Sequence, residues 1–274
     1  MRRNVLMSVA LGLSVAAAQA QDKLIVDGST TAGPIAKAFA EIITRQNPGV
    51  NITVSESGSG NGAKALLNGT CDVACLSRDL KASEKSAMAA KGVNPVAHVV
   101  AYDALPVIVH PSNRVKGLTI DQICDIYTGK ITNWKEVGGA DQRIVVISRD
   151  TNSGTFESFR ELVLGKEKRV VASAEHTGSN GGTRQRVQMT RGAIGYAGLG
   201  FVDRTVKALE VNGVMPSVAS VSAGQYPLSR ELYLFTNGEP AADTLAGKFL
   251  GMSRTEKGRE IIEEIGFVPV PDGK

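Results

Sequence analysis

The sequence predicts an α/β protein built on mostly parallel sheets. Short β-type runs alternate with amphipathic helical stretches, and the joints between them are rich in Gly, Ser and Thr. The chain has 274 residues, 42% of them hydrophobic and 21% charged. That composition is globular rather than fibrous or disordered, and the length suffices for one large core or two smaller ones.

Residues 24–26 read as the first strand. Pro34 suits the first turn of the helix that follows, with Ile35, Phe39, Ile42 and Ile43 on its apolar face. Residues 50–55 alternate with period two. A glycine-rich loop at 57–62 precedes a short helix that ends near Asn68 and Gly69, and residues 72–76 form a third strand. A β-α-β-α-β order requires crossover helices and parallel strands. A second such unit begins mid-chain. Thr119 and Gln122 have capping-box spacing ahead of a helix carrying Ile123, Ile126 and Tyr127. Residues 144–148 are a buried strand type, and Ser153 is the expected N-cap of a helix that turns Phe156, Phe159, Leu162 and Val163 inward. Residues 193–196 and 232–235 are further strands. Two helices follow, the last opened by a Ser253 to Glu256 capping box, striped by Ile261, Ile262 and Ile265, and stopped at Gly266. The β-rich passage 96–109, broken at Pro106, is expected to carry the chain from one half to the other.

Residues 1–20 stand apart. Arg2 and Arg3 precede a charge-free apolar run at 5–18, and Ala18-Gln19-Ala20 is a small-x-small cleavage signal. The run is too short for a comfortable membrane span, and no cysteine directly follows it to carry a lipid. A cleaved export signal is expected, leaving a mature chain that starts at Gln21.

Without Arg2 and Arg3 the 31 basic residues fall to 29, against 27 acidic ones, and there is no run of five like charges. Such a balance gives no global field for nucleic acid, so any anion preference is local. Three cysteines are too few for a disulfide scaffold. Cys71 and Cys75, if both lie on one strand, have α-carbons about 13 Å apart, beyond the reach of a bridge, and they read as small buried apolar residues. No CxxC or paired-His spacing suggests a metal, and no cofactor motif is present.

Four segments share one design: 28–31 (Gly-Ser-Thr-Thr), 57–62 (Ser-Gly-Ser-Gly-Asn-Gly), 77–79 (Ser-Arg-Asp) and 149–155 (Arg-Asp-Thr-Asn-Ser-Gly-Thr). Each follows a predicted strand, and most open a helix, whose first N–H groups are unpaired and carry partial positive charge. Any one of them alone reads as a capped turn. Together, at the carboxyl ends of strands, they describe a cage of neutral donors around an anion, and Arg149 adds a planar fork that can hold two oxygens at once.

The segment Arg149-x-x-x-Ser153-Gly154-Thr155 resembles the phosphate-contacting segment of the phosphate-binding proteins of phosphate ABC transporters. The stretch from Leu118 to Trp134, with Gln122, Tyr127 and Gly129, is similar to that family's second-lobe signature, and Gly192 to Tyr196 also fits. The resemblance covers essentially the whole mature chain. It implies a type II periplasmic-binding-protein fold: two α/β lobes joined by hinge strands, with a ligand cleft between them. We assign 21–110 and 206–274 to a discontinuous lobe I and 111–205 to lobe II. The resemblance also implies contacts to inorganic phosphate from Thr30, Thr31, Ser59, Arg149, Ser153, Gly154 and Thr155, with Ser77 at another matching position; Ser29, in the first of the four loops, is a further candidate phosphate contact. A periplasmic, monomeric, non-enzymatic role follows, with ABC permease subunits as partners. Longer family members carry an Asp after the serine equivalent to Ser77, and it accepts the phosphate proton. Here Arg78 stands there. That adds Arg78 to the candidate phosphate contacts and leaves Asp79, Asp150 and Asp27 as candidate acceptors.

Two rival readings stay open. Neutral donor cages also suit molybdate, tungstate or sulfate, and the same fold can serve sensing or adhesion. A phosphate-ester hydrolase is the enzymatic rival, but G-x-S-x-G is absent, Gly129-Lys130 lacks the Walker A context, and His98, His110 and His176 have no visible nucleophile partner.

Overall fold

The computed structural model describes residues 22–165 and 167–271; the leader and Gln21 lie outside them. The strands and helices, in chain order, are β1 Lys23–Gly28, α1 Gly33–Gln46, β2 Asn51–Ser55, α2 Ser59–Leu67, β3 Val73–Leu76, α3 Ala82–Ala90, β4 Pro95–Ala104 and β5 Val107–Val109. They continue with β6 Gly117–Leu118, α4 Ile120–Tyr127, β7 Val145–Arg149, α5 Gly154–Phe159, β8 Glu175–Thr177, α6 Asn180–Gln188, β9 Ala193–Tyr196, β10 Lys207–Ala208 and β11 Glu210–Val211. The last are α7 Val218–Ser222, β12 Ser229–Asn237, α8 Leu245–Gly251, α9 Glu256–Glu264 and β13 Val268–Pro269.

Two sheets carry the two lobes. The first has six strands in the order β13-β4-β12-β3-β1-β2, and the second has five in the order β10-β5-β9-β7-β8. In the first, β1 pairs in parallel with β2 and β3, as the α1 and α2 crossovers demand, while β12 runs antiparallel between β3 and β4. In the second, β7 is parallel to β8 and β9. The chain passes from the first sheet to the second between β4 and β5 and returns ahead of β12. There Leu105 N donates to Leu228 O at 2.7 Å, and Tyr226 Oη donates to Leu105 O. Strand β10 and the segment after it side with the second sheet: Leu209, Val211, Val221, Tyr226 and Leu228 share one core with Tyr127, Phe159 and Tyr196.

That core explains the apolar signature of the middle of the chain. Phe159 stacks on Tyr196 at 3.9 Å and Tyr127 lies 4.5 Å from Phe159. Trp134 is buried and donates to Gly192 O. The other lobe is built on α1, whose Ile35, Phe39 and Ile43 are buried against Val26, Leu234 and Phe249.

Several local expectations need correction. The glycine-rich stretch 57–62 is not all loop, because α2 already starts at Ser59. Gly58 makes the turn at φ +101°, and a Cβ on Gly62 would lie 2.8 Å from Asp27 O, so glycine lets this helix press against the end of β1. Leu162 is 37% exposed rather than buried, because α5 gives way to a π-helical turn at Arg160–Leu164 that resets the phase and turns Val163 and Leu164 inward. The N-cap of α9 is Thr255, whose Oγ1 accepts from Gly258 N, whereas Ser253 is occupied with Leu250 O. Cys71 and Cys75 are buried, free thiols, but β3 starts only at Val73, so they do not share a strand. Burial pushes the Cys71 thiol up to about 12 and Cys75 higher still. Among the described residues no helix is long and apolar enough to cross a membrane.

Candidate functional site

The ends of β1, β3, β7 and β8 face one another across the two sheets, and four helices, α1, α2, α5 and α6, begin there. Buried polar side chains gather at this point: Ser29, Thr31, Ser59, Ser77, Asp103, Arg149, Ser153, Thr155, Asn180 and Arg230. Buried polar groups need partners, and here many partners come from the opposite lobe. Thr31 Oγ1 lies 3.0 Å from Thr155 Oγ1, Gly60 N donates to Asn152 O at 3.0 Å, Ser158 Oγ donates to Ser77 O, and Lys81 pairs with Glu157 at 3.0 Å. The lobes are therefore closed on each other.

Three of the hydroxyls already accept from backbone N–H groups. Ser29 Oγ accepts from Thr31 N and Ala32 N, which fills its two lone pairs. Ser153 Oγ accepts from Phe156 N and caps α5 as expected. Ser59 Oγ accepts from Ser77 N and lies 3.3 Å from Ser77 Oγ. Gly154 faces this pair so closely that a Cβ there would sit 2.3 Å from Ser59 Oγ and 2.5 Å from Ser77 Oγ.

Arg149 is 1% exposed at the end of β7, and its backbone N–H donates to Tyr196 Oη. Its guanidinium is held by neutral acceptors: Thr177 O, Gly178 O, Asn180 Oδ1 and Thr30 Oγ1, at 3.0–3.3 Å. Among the described residues no carboxylate forms an ion pair with it. Burial pulls its pKa down to about 10, so it remains a cation at neutral pH. An enclosed cation ringed by neutral oxygens is the electrostatic form of an anion receptor.

Sequence reasoning missed three members. Asn180 opens α6 and bridges Arg149, Gly198 N and Thr31. Its loop, Gly178-Ser179-Asn180-Gly181-Gly182, has the same composition as the four predicted segments, but β8 before it is only three residues long and gives little strand signal. Arg230 and Asp103 lie directly opposite each other on the antiparallel strands β12 and β4. Arg230 donates to Asp103 Oδ2 from Nε and Nη2, and to Thr155 Oγ1 from Nη1 at 3.0 Å. A charged residue inside an apolar strand was the available signal.

Arg78 is not brought to this cluster. Both of its Nη groups grip the Glu84 carboxylate at 2.8 Å, and Nη1 also donates to Asp79 O, so its charge is spent on α3. Two of the three candidate proton acceptors are engaged locally. Asp79 pairs with Lys85 at 2.7 Å, and Asp150 accepts from Asn152 N in its own turn. Asp27 sits in β1, with Oδ1 buried and unpartnered. Among the described residues no group of His, Cys, Asp and Glu could hold a metal ion.

A family model for the PBP superfamily domain matches residues 14–251. The phosphate-binding protein PstS of Bacillus subtilis is 33% identical over 258 residues, covering 93% of this chain and 83% of its own. The chain belongs to the PstS family of the PBP superfamily. A putative phosphate ABC transporter substrate-binding protein of Clostridium perfringens, solved with bound phosphate, superposes with a TM-score of 0.83 at 36% identity, over 91% of this chain and all of that one. An ABC-type phosphate transport receptor of Vibrio cholerae has a TM-score of 0.75 at 31% identity, over 90% and 100% of the two chains. The two-lobed fold expected for the PstS family is thus present. The residues that carried the resemblance fall into two groups. Thr30, Thr31, Ser59, Arg149, Gly154 and Thr155 meet between the lobes, while Tyr127, Trp134 and Tyr196 build the core that holds β7.

Proposed function

We propose that this chain is an exported receptor that captures inorganic phosphate between its two lobes and delivers it, as a monomer in the periplasm, to the permease subunits of an ABC importer. The observation that carries the reading is Arg149: a buried cation with no carboxylate partner among the described residues, ringed by neutral acceptor oxygens from both lobes, whose charge an anion would neutralise. The phosphate named for relatives of 31–36% identity fits a cage of this charge and donor count. Ser29, Thr30, Thr31, Ser59, Ser77, Arg149, Ser153, Gly154 and Thr155 are the assigned contacts, and Asn180 holds the Arg149 fork in place. We put the hinge at the paired crossings near Leu105 and Leu228, which moves 107–110 and 206–228 from lobe I to lobe II. The role is binding without catalysis: His98 bonds to Thr236 and His110 to Ser112, neither of them in the cluster.

Calorimetric titration of the purified chain with phosphate tests this reading, with one site per chain expected. Hydrolysis of a phosphate ester, or molybdate or tungstate binding more tightly than phosphate, would overturn it. Selectivity against sulfate follows from the acceptors. Phosphate at neutral pH keeps a proton and sulfate has none, so a free carboxylate in the site would favour phosphate by roughly a thousandfold or more. Asp103, the carboxylate within the cluster, is already occupied by Arg230 and by Leu199 N. The phosphate proton then falls to a hydroxyl such as Ser59 or Ser77. We predict a phosphate preference below about a thousandfold, read by displacing bound phosphate with sulfate. A much larger preference would place a carboxylate on the ligand.

A further inference from the structure

Arg230 and Asp103 form a buried ion pair beneath the cleft, and every nitrogen of the Arg230 fork has a partner. Nε donates to Asp103 Oδ2 at 3.0 Å; Nη1 donates to Thr155 Oγ1 at 3.0 Å and Ser77 O at 3.4 Å; Nη2 donates to Asp103 Oδ2 at 2.8 Å and Thr31 Oγ1 at 3.4 Å. A fully committed guanidinium has nothing left to offer a ligand, so Arg230 is not a second Arg149. It does dictate where hydroxyl protons go.

The polarity of the cluster is fixed by groups that can only donate. Arg149 Nη1 and Gly198 N both donate to Asn180 Oδ1, so the other end of that amide, Nδ2, is the donor to Thr31 Oγ1 at 2.9 Å. Thr31 Oγ1 thus accepts from Asn180 and from Arg230, and both its lone pairs are filled. Its own proton has Thr155 Oγ1, 3.0 Å away, as acceptor. Thr155 Oγ1 then accepts from Thr31 and from Arg230, which fills its lone pairs in turn, and its proton is the one left for a bound oxygen. Asp103, which can only accept, holds the fork that sets this order, and Leu199 N braces its second oxygen at 2.9 Å.

We propose that the Arg230–Asp103 pair is a positioning device of the anion site: by donating into Thr31 and Thr155 it forces the Thr155 hydroxyl to act as a donor, so that this corner of the cleft cannot receive the ligand's proton. The inference rests on the reading of the cluster as a phosphate receptor. It assigns the phosphate proton to the opposite side, towards Ser59 and Ser77. It also ties the polarity to closure, because Arg230 lies on β12 of the first sheet and Thr31 follows its β1, while Thr155 and Asn180 follow strands of the second.

A double-mutant cycle on phosphate affinity tests it, with thermal unfolding of each variant as the check on folding. Arg230→Met keeps much of the bulk and removes the donors, and Thr155→Val removes the hydroxyl. In the Thr155 background Arg230→Met is expected to lower phosphate affinity by about tenfold or more, on the scale of one misdirected buried hydrogen bond. In the Thr155→Val background the same substitution is expected to cost less than about threefold, because there is no hydroxyl left to direct. Equal losses in both backgrounds would overturn the proposal and make Arg230 a structural residue only. If Arg230→Met does not fold, the neutral exchange Asp103→Asn with Arg230→Gln goes through the same cycle, with the same two outcomes. A wild-type chain that bound no phosphate would overturn the reading of the site and this proposal with it, whereas additive losses in a chain that binds overturn the proposal alone.

Discussion

Arg149→Ala is expected to lower phosphate affinity by roughly a hundredfold or more, about 2–3 kcal/mol, the scale of a charge-assisted bidentate contact. The geometry supports this magnitude in two ways. The fork is held rigid by Thr177 O, Gly178 O and Asn180 Oδ1, so little entropy is lost when it meets a ligand. Its hydrogen-bond partners among the described residues are all neutral, so a bound anion displaces at most a neutral acceptor such as Thr30 Oγ1 and never a carboxylate. Without ligand, the same buried charge is a burden on the fold. The ligand-free Arg149→Ala chain should therefore melt no lower than the parent, while the rise in Tm on adding phosphate should largely disappear. Arg149→Lys should recover only part of the affinity, because a lysine cannot present two parallel donors. Titration calorimetry and thermal melts with and without phosphate check all three, and near-parental affinity in Arg149→Ala would refute the assignment.

Gly154→Ala is expected to act through closure. The added Cβ would lie 2.3 Å from Ser59 Oγ and 2.9 Å from Ser59 Cβ, across the lobe boundary. Ser59 cannot simply swing away, because its Oγ also accepts from Ser77 N. Overpacking of this kind costs about 1–3 kcal/mol, or roughly five- to a hundredfold in affinity. The loss falls on the closed state alone, so the Tm of the ligand-free chain should hardly change. A Gly154→Ala chain that binds phosphate as tightly as the parent would show that the lobes do not meet at this contact when ligand is bound.

The parts of the site that were legible from sequence are those whose chemistry is local. A strand, a Gly/Ser/Thr joint and a helix start within a few residues, so Ser29, Thr31, Ser59 and Ser153 could be read as donors at helix entrances, and Arg149 stood out as the charge among them. The Thr119–Gln122 capping box and the Ser153 cap were local for the same reason. What could not be read depends on pairing across the chain. Asp103 and Arg230 are opposite one another only because β4 and β12, 127 positions apart, run antiparallel in one register. Arg78 read as a candidate contact from its position after Ser77, but six residues on, Glu84 captures its fork. The phase error at Leu162 has a similar origin: five residues of π-helix shift which face is inward, and residue periodicity does not announce them. Lobe limits drawn at 110/111 and 205/206 rest on composition, which does not say that β10 pairs with β5 in the second sheet while α7 packs on β4 and β13 of the first.

Phosphate held between two lobes should draw them together. Contacts from both sheets, such as Thr31 with Thr155 and Arg149 with Thr30, exist only in the closed form, so a ligand bridging them must favour that form. Small-angle scattering of the mature chain during a titration with inorganic phosphate reads this out. The expected radius of gyration falls and saturates at one phosphate per chain; profiles that remain superimposable up to saturating phosphate would show that binding does not close the lobes.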